Sequence, residues 1–184
     1  MKRRGCLLAV VMLAGAGLSA GQKAPRQPTP AIVAPLATGI HNFIVAPGTV
    51  SFVASDPDSP SHTGSSTVTW NLTGGSILRN WTLQVASGAV LFTGSASCST
   101  VPANAVTFRC ASATYSGGTL PSATCSAGTF TLSTTYQTVA SGREGSGSPS
   151  FTVTLSFTLL DSWSYVANLS PPCTLNVSYS LNAP

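Results

Sequence analysis

Ionisable side chains are scarce: the 184 residues include eight Lys or Arg, four Asp or Glu and two His. About a quarter of the residues in an ordinary soluble domain are charged, so helices with charged outer faces are excluded as the basis of this fold. The near-balanced charge and an apolar fraction of 43% also exclude a charge-driven disordered chain. Long apolar runs are missing after the first 20 residues, which leaves no segment able to cross a bilayer as a helix. Polarity comes instead from 27 serines and 23 threonines. With glycine and valine, they describe one all-β domain whose surface is made of hydroxyls.

The cations are concentrated at the start. A basic Met1–Arg4, an apolar Cys6–Leu18 and the small residues Ser19, Ala20 and Gly21 form the layout of a secretory signal peptide, 1–20. The apolar run is shorter than the roughly 20 residues of a spanning helix. Arg3-Arg4 serves as a basic n-region, with a twin-arginine signal as the alternative. Cleavage leaves five cations (Lys23, Arg26, Arg79, Arg109, Arg143) against four anions (Asp56, Asp58, Glu144, Asp161). No Lys/Arg stripe remains to track a phosphate backbone, so nucleic acid is not an expected partner. Pro25, Pro28, Pro30 and Pro35 then mark 21–37 as an extended linker, and the domain occupies 38–184. The expected location is extracytoplasmic, secreted or at the cell surface.

Within the domain, apolar residues recur with period two, the signature of half-buried strands. The pattern covers Phe43 and Val45; Val50 and Phe52; Val68, Trp70 and Leu72; Trp81, Leu83 and Val85; and Val106 and Phe108. Its longest run is Phe151, Val153, Leu155, Phe157 and Leu159, alternating with Thr152, Thr154, Ser156 and Thr158. A last run joins Cys173, Leu175, Val177, Tyr179 and Leu181. Asp56–Pro60, Gly74-Gly75, Ser116–Gly118 and Ser141–Pro149 read as turns, the last as a mobile loop with little to pack. The expectation is an antiparallel two-sheet sandwich of immunoglobulin-like architecture, with a small closed barrel as the competing geometry.

Four cysteines remain after cleavage, Cys98, Cys110, Cys125 and Cys173, and an even set in an exported chain means disulfides. Gaps of 12, 15 and 48 residues do not match the close spacing of a zinc site. Cys98–Cys110 would close a hairpin around Pro102–Asn104, and Cys110–Cys125 one around Gly117-Gly118. The preferred pairing is Cys98 with Cys110 and Cys125 with Cys173.

Acid–base chemistry has only His41, His62 and the four carboxylates to draw on. Asp56, Asp58 and His62 fall in one Pro/Ser-rich turn and read as turn formers; weak calcium binding at Asp56 and Asp58 stays open, without the EF-hand pattern. No G-x-S-x-G elbow, P-loop or dinucleotide fingerprint occurs, so no catalytic residue, no resident metal and no cofactor is assigned. Among the aromatics, Trp70 and Trp81 keep register with inward neighbours and read as core. Trp163 and Tyr165, beside the Asn168–Pro172 turn, are the candidate ligand-binding residues. Sequons stand at Asn71, Asn80, Asn168 and Asn176.

The segment Asn80-Trp81-Thr82-Leu83-Gln84-Val85, preceded by Phe43–Phe52, resembles bacterial exported surface domains of the WxL type. The likeness runs from Phe43 to Val85, carries one W-x-L motif (Trp81, Thr82, Leu83) and lacks the family's second; the four cysteines depart from that family's habit. The resemblance implies a β-sandwich at a cell surface that binds envelope polymers or sister proteins. The functional expectation is a non-catalytic exported protein of envelope attachment or assembly, whose partner is an envelope polymer or surface protein. A secreted carbohydrate- or ligand-binding module is the alternative, and a hydrolase ranks below both.

Overall fold

A computed structural model describes residues 7–11, 39–53, 61–73, 79–94, 96–160 and 173–183. The strands are β1 (Leu7–Val11), β2 (Ile40–Ala46), β3 (Thr49–Val53), β4 (Ser61–Leu72), β5 (Asn80–Ser87), β6 (Val106–Ser116), β7 (Ser122–Cys125), β8 (Phe130–Thr131), β9 (Gln137–Arg143), β10 (Ser150–Leu160) and β11 (Val177–Asn182). They form a five-stranded sheet in the order β2-β4-β10-β6-β8, a four-stranded sheet in the order β11-β5-β9-β7, and a two-stranded pair of β1 with β3. Every pairing is antiparallel. The two larger sheets pack face to face, giving the sandwich that period-two alternation predicts; they remain separate sheets rather than one closed barrel.

The long alternating run supplies the central strand of the larger sheet. Phe151, Val153, Leu155, Phe157 and Leu159 of β10 are buried, while the hydroxyl residues between them are half-buried. Leu83 and Val85 of β5 and Val177, Tyr179 and Leu181 of β11 close the core from the other sheet. Trp81 crosses between the sheets: its ring centroid lies 5.0 Å from that of Trp70 and 5.1 Å from that of Phe151, both edge-on, while Trp70 and Phe151 stack at 5.5 Å. Its partner in register on β9 is Gly142. A Cβ there would sit 2.5 Å from the indole and collide with the Ser122 carbonyl oxygen, so glycine is a steric requirement of the tryptophan.

A polar link crosses the core. The Tyr179 hydroxyl bonds to Ser66 of β4, and Ser66 Oγ donates to the Pro47 carbonyl oxygen at 3.1 Å. Burial pushes the Tyr179 phenol well above its ordinary value of 10.0, with the Ser66 hydrogen bond acting in the opposite sense. Above that ordinary value the unfolded chain loses this proton before the folded one does, so the contribution to stability falls as pH rises.

Disulfides join Cys98 to Cys173 and Cys110 to Cys125, not the preferred pairing of Cys98 with Cys110 and Cys125 with Cys173. The reason is topological. The 12 residues from Cys98 to Cys110 do not form a hairpin, because a 3-10 turn at Ala96–Thr100 and another at Ala103–Ala105 intervene before β6. Cys98 instead meets the lead-in to β11, where Thr93 and Thr174 exchange backbone hydrogen bonds of 2.8 Å. Cys110 pairs with Leu155 across the larger sheet and reaches Cys125 on the smaller one, so this bridge ties two sheets and closes no hairpin. The 75-residue loop is stabilised by about 4 kcal/mol and the 15-residue loop by about 3 kcal/mol on chain entropy alone. Disulfides of this kind belong to an oxidising environment.

Two other expectations need correction. The last run is strand only from Val177; Cys173 and Leu175 are buried without continuing the ladder, since the disulfide and the Thr93–Thr174 bridge hold them. Ser141–Pro149 is not a loop with little to pack. Its first three residues complete β9, Glu144 is buried, and Ser146 exchanges two 2.9 Å backbone hydrogen bonds with Thr119.

The register yields a direct test by urea denaturation. Leu155→Ala should cost about 2 to 5 kcal/mol through the cavity it leaves. Thr154→Ala, on the opposite face of the same strand, should cost about 0.5 kcal/mol.

Candidate hydroxyl-bearing faces

Because side chains alternate across a strand, burying the apolar half of β10 turns its hydroxyls outward. The neighbouring registers extend them sideways. Thr154 lies between Thr67 of β4 and Ser112 of β6, Thr152 between Thr69 and Thr114, Ser156 between Ser65 and Arg109, and Thr158 between Thr63 and Thr107. The result is a grid three strands wide, with hydroxyls about 7 Å apart along each strand and about 4.8 Å across strands. Thr67 Oγ1 and Thr154 Oγ1 approach to 3.4 Å, and Thr114 Oγ1 donates to the Thr152 carbonyl oxygen at 3.5 Å. Ile44 of β2, level with Thr69 and 53% exposed, adds an apolar border on one side; exposed Arg109 borders the other. This face offers donors, acceptors and methyl groups in a fixed array with a single charge at its rim. Its donors, acceptors and methyl groups are the chemistry that complements neutral hydroxylated polymers or another hydroxyl-bearing sheet.

The smaller sheet carries a second polar surface. A shallow depression of 310 Å³ is lined by Asn80, Thr82, Ser122, Thr124, Ser141 and Arg143. Two registers build it: Asn80, Arg143 and Ser122 form one row, Thr82, Ser141 and Thr124 the next. Asn80 and Arg143 are exposed, and Ser122 Oγ accepts from the Arg143 backbone N–H at 3.0 Å. Beside this depression, Glu144 is the buried charged residue among the described residues, at 1% exposure. Arg79 Nε donates to its Oε2 at 2.9 Å and Nη2 to its Oε1 at 3.5 Å, while the Glu144 backbone N–H donates to the Arg79 carbonyl oxygen at 2.8 Å. The pair fixes the open ends of β5 and β9 and therefore the rim of the depression.

The candidate ligand residues Trp163 and Tyr165 lie outside the described residues, as do Asp56, Asp58, Asp161 and the sequon at Asn168. Trp70 and Trp81 are buried, as core residues should be. His41 and His62 do not meet: His41 pairs with Asn71 and His62 lies nine residues back along β4, about 30 Å away. Among the described residues no three His, Cys, Asp or Glu side chains come together.

The β10 hydroxyls were readable from alternation, as were Thr67 and Thr69 opposite Val68, Trp70 and Leu72, but the pairing between them and the rest of the grid were not. Ser61–Ser66 has the composition of a turn and becomes strand only by pairing with β10. On β6, a register shift opposite Thr154 and Leu155 breaks the period and hides Ser112 and Thr114. Compared with known protein families, with curated proteins and with solved structures, the chain matches none.

The ion pair can be tested apart from any ligand. Arg79→Met leaves a carboxylate buried without its cation and should cost about 3 kcal/mol. The double variant Arg79→Met/Glu144→Leu should recover most of that loss in the same denaturation assay.

Proposed function

We propose that this is an exported, non-catalytic β-sandwich protein of the cell surface or extracellular space, acting in envelope attachment or protein assembly. The observation that carries the reading is the hydroxyl grid on β4, β10 and β6, a nearly uncharged face three strands wide. Neutral polymers of an envelope offer matching hydroxyl and C–H surface, and a rigid sheet loses little conformational entropy on meeting them. The two disulfides suit an oxidising location outside the cytoplasm, and the apolar leader 1–20 supplies the route. The WxL-type resemblance around Trp81 points to the same class of role.

A second reading, a secreted carbohydrate- or ligand-binding module, is favoured by the depression on the smaller sheet, where hydroxyls, an amide and the Arg143 guanidinium converge. The two readings use opposite faces and can be separated. With attachment or assembly through the grid, the chain should fractionate with the envelope, and Thr67→Val/Thr154→Val should reduce retention about tenfold without lowering the melting temperature, since valine keeps β propensity. Unchanged retention of that variant, together with loss of glycan binding on Arg143→Ala, would transfer the role to the depression.

A further inference from the structure

Strand β3 has one hydrogen-bonded neighbour among the described residues, the antiparallel β1, in an unbroken five-residue register from Leu7↔Val53 to Val11↔Thr49. Its Val50 and Phe52 are buried in the sandwich core, and Val50 packs where Gly64 of β4 has no side chain. β3 is thus anchored from one side while its backbone edge depends on β1. That neighbour, however, lies within the leader that export removes. The mature chain would keep β3 in the core with an unpaired row of N–H and C=O groups, which is a template for strand addition. Of the other edges, β2 is broken by a register shift at His41/Ile44 and β7 and β8 run only four and two residues, while the six-residue β11 has β5 alone as its neighbour among the described residues. β3 carries no charge, proline or glycine.

The strand that β3 accepts here, Leu-Leu-Ala-Val-Val, is uncharged and aliphatic. Ahead of β2 the exported chain keeps one similar run, Ala31-Ile32-Val33-Ala34, within the eighteen residues 21–38. If the same chain used this run in the direction of β1, it would end near Thr49 and then have to regain the start of β2. That distance is the length of β2, about 20 Å, which residues 35–39 cover only at full extension. A neighbouring molecule has no such restriction, for an extended arm of this length reaches about 60 Å.

We propose that β3 is an acceptor edge for assembly, completed in the exported protein by an antiparallel strand from the N-terminal arm, residues 21–38, of a second copy. The inference rests on the export and assembly reading above and names the surface through which copies join. Its test uses the exported chain, light scattering for mass and hydrogen exchange for the β3 amides. Concentration-dependent multimers with protected amides at 49–53 are expected. A lysine-flanked peptide of the Leu7–Val11 sequence should dissociate them, its Ala9→Pro form should not, and Val33→Asp should weaken association at least about tenfold. Multimers indifferent to the peptide and to Val33→Asp would overturn the acceptor edge while leaving assembly in place. A monomer with β3 protected would show the edge closed within one chain, and a monomer whose β3 exchanges freely and ignores the peptide would remove both the edge and self-assembly.

Discussion

Trp81 has to pass between the two sheets, and the arrangement around it follows from that requirement. Its indole packs edge-on against Trp70 and Phe151 of the larger sheet while its own strand belongs to the smaller. The cost is visible: the Nε1 donors of Trp70 and Trp81 are buried without a hydrogen-bond partner, each a penalty of about 1 to 3 kcal/mol. Burial of two large rings and the edge-to-face geometry offset it. The space for the indole exists because Gly142 is opposite on β9, so one side chain dictates both the neighbouring residue and the pairing of β5 with β9. The rows that line the depression are the outward complement of that same register.

Few charges are needed in such a molecule, because alternation separates the two kinds of side chain strand by strand. Apolar residues meet between the sheets, and serine and threonine face outward where lysine and glutamate are more usual. The ion pair of half-buried Arg79 with buried Glu144 is placed where β5 and β9 end and the ladder no longer holds the backbone. The disulfides act at comparable weak points: Cys110–Cys125 where the chain passes from one sheet to the other, Cys98–Cys173 where the lead-in to β11 lacks a ladder. The two polar faces are therefore products of the packing, rigid because the core beneath them is.

The strands that alternate cleanly, above all 151–159, were legible because burial of one face writes itself into the sequence at period two. Cysteine number and the inward position of Trp70 and Trp81 were legible for similar reasons. Disulfide pairing was not, since it depends on which strands enter which sheet; a 12-residue spacing resembles a hairpin until two 3-10 turns carry the chain elsewhere. β7 and β9 escaped notice because Ser122–Cys125 and Gln137–Arg143 are rich in small and polar residues and take strand form from their neighbours. For the site, the grid was visible in β10 and at Thr67 and Thr69 of β4, while the depression required knowing that Ser122, Ser141 and Thr82 come from three adjacent strands.

The central claim is that one aromatic cluster couples the two sheets, and a double-mutant cycle addresses it directly. Unfolding free energies of Trp70→Leu, Trp81→Leu and the pair, measured in urea with both disulfides intact, should show a coupling of about 1 kcal/mol or more. Additivity within about 0.3 kcal/mol would mean that the two indoles stabilise their own sheets independently, and the account of Trp81 as the element joining them would be wrong.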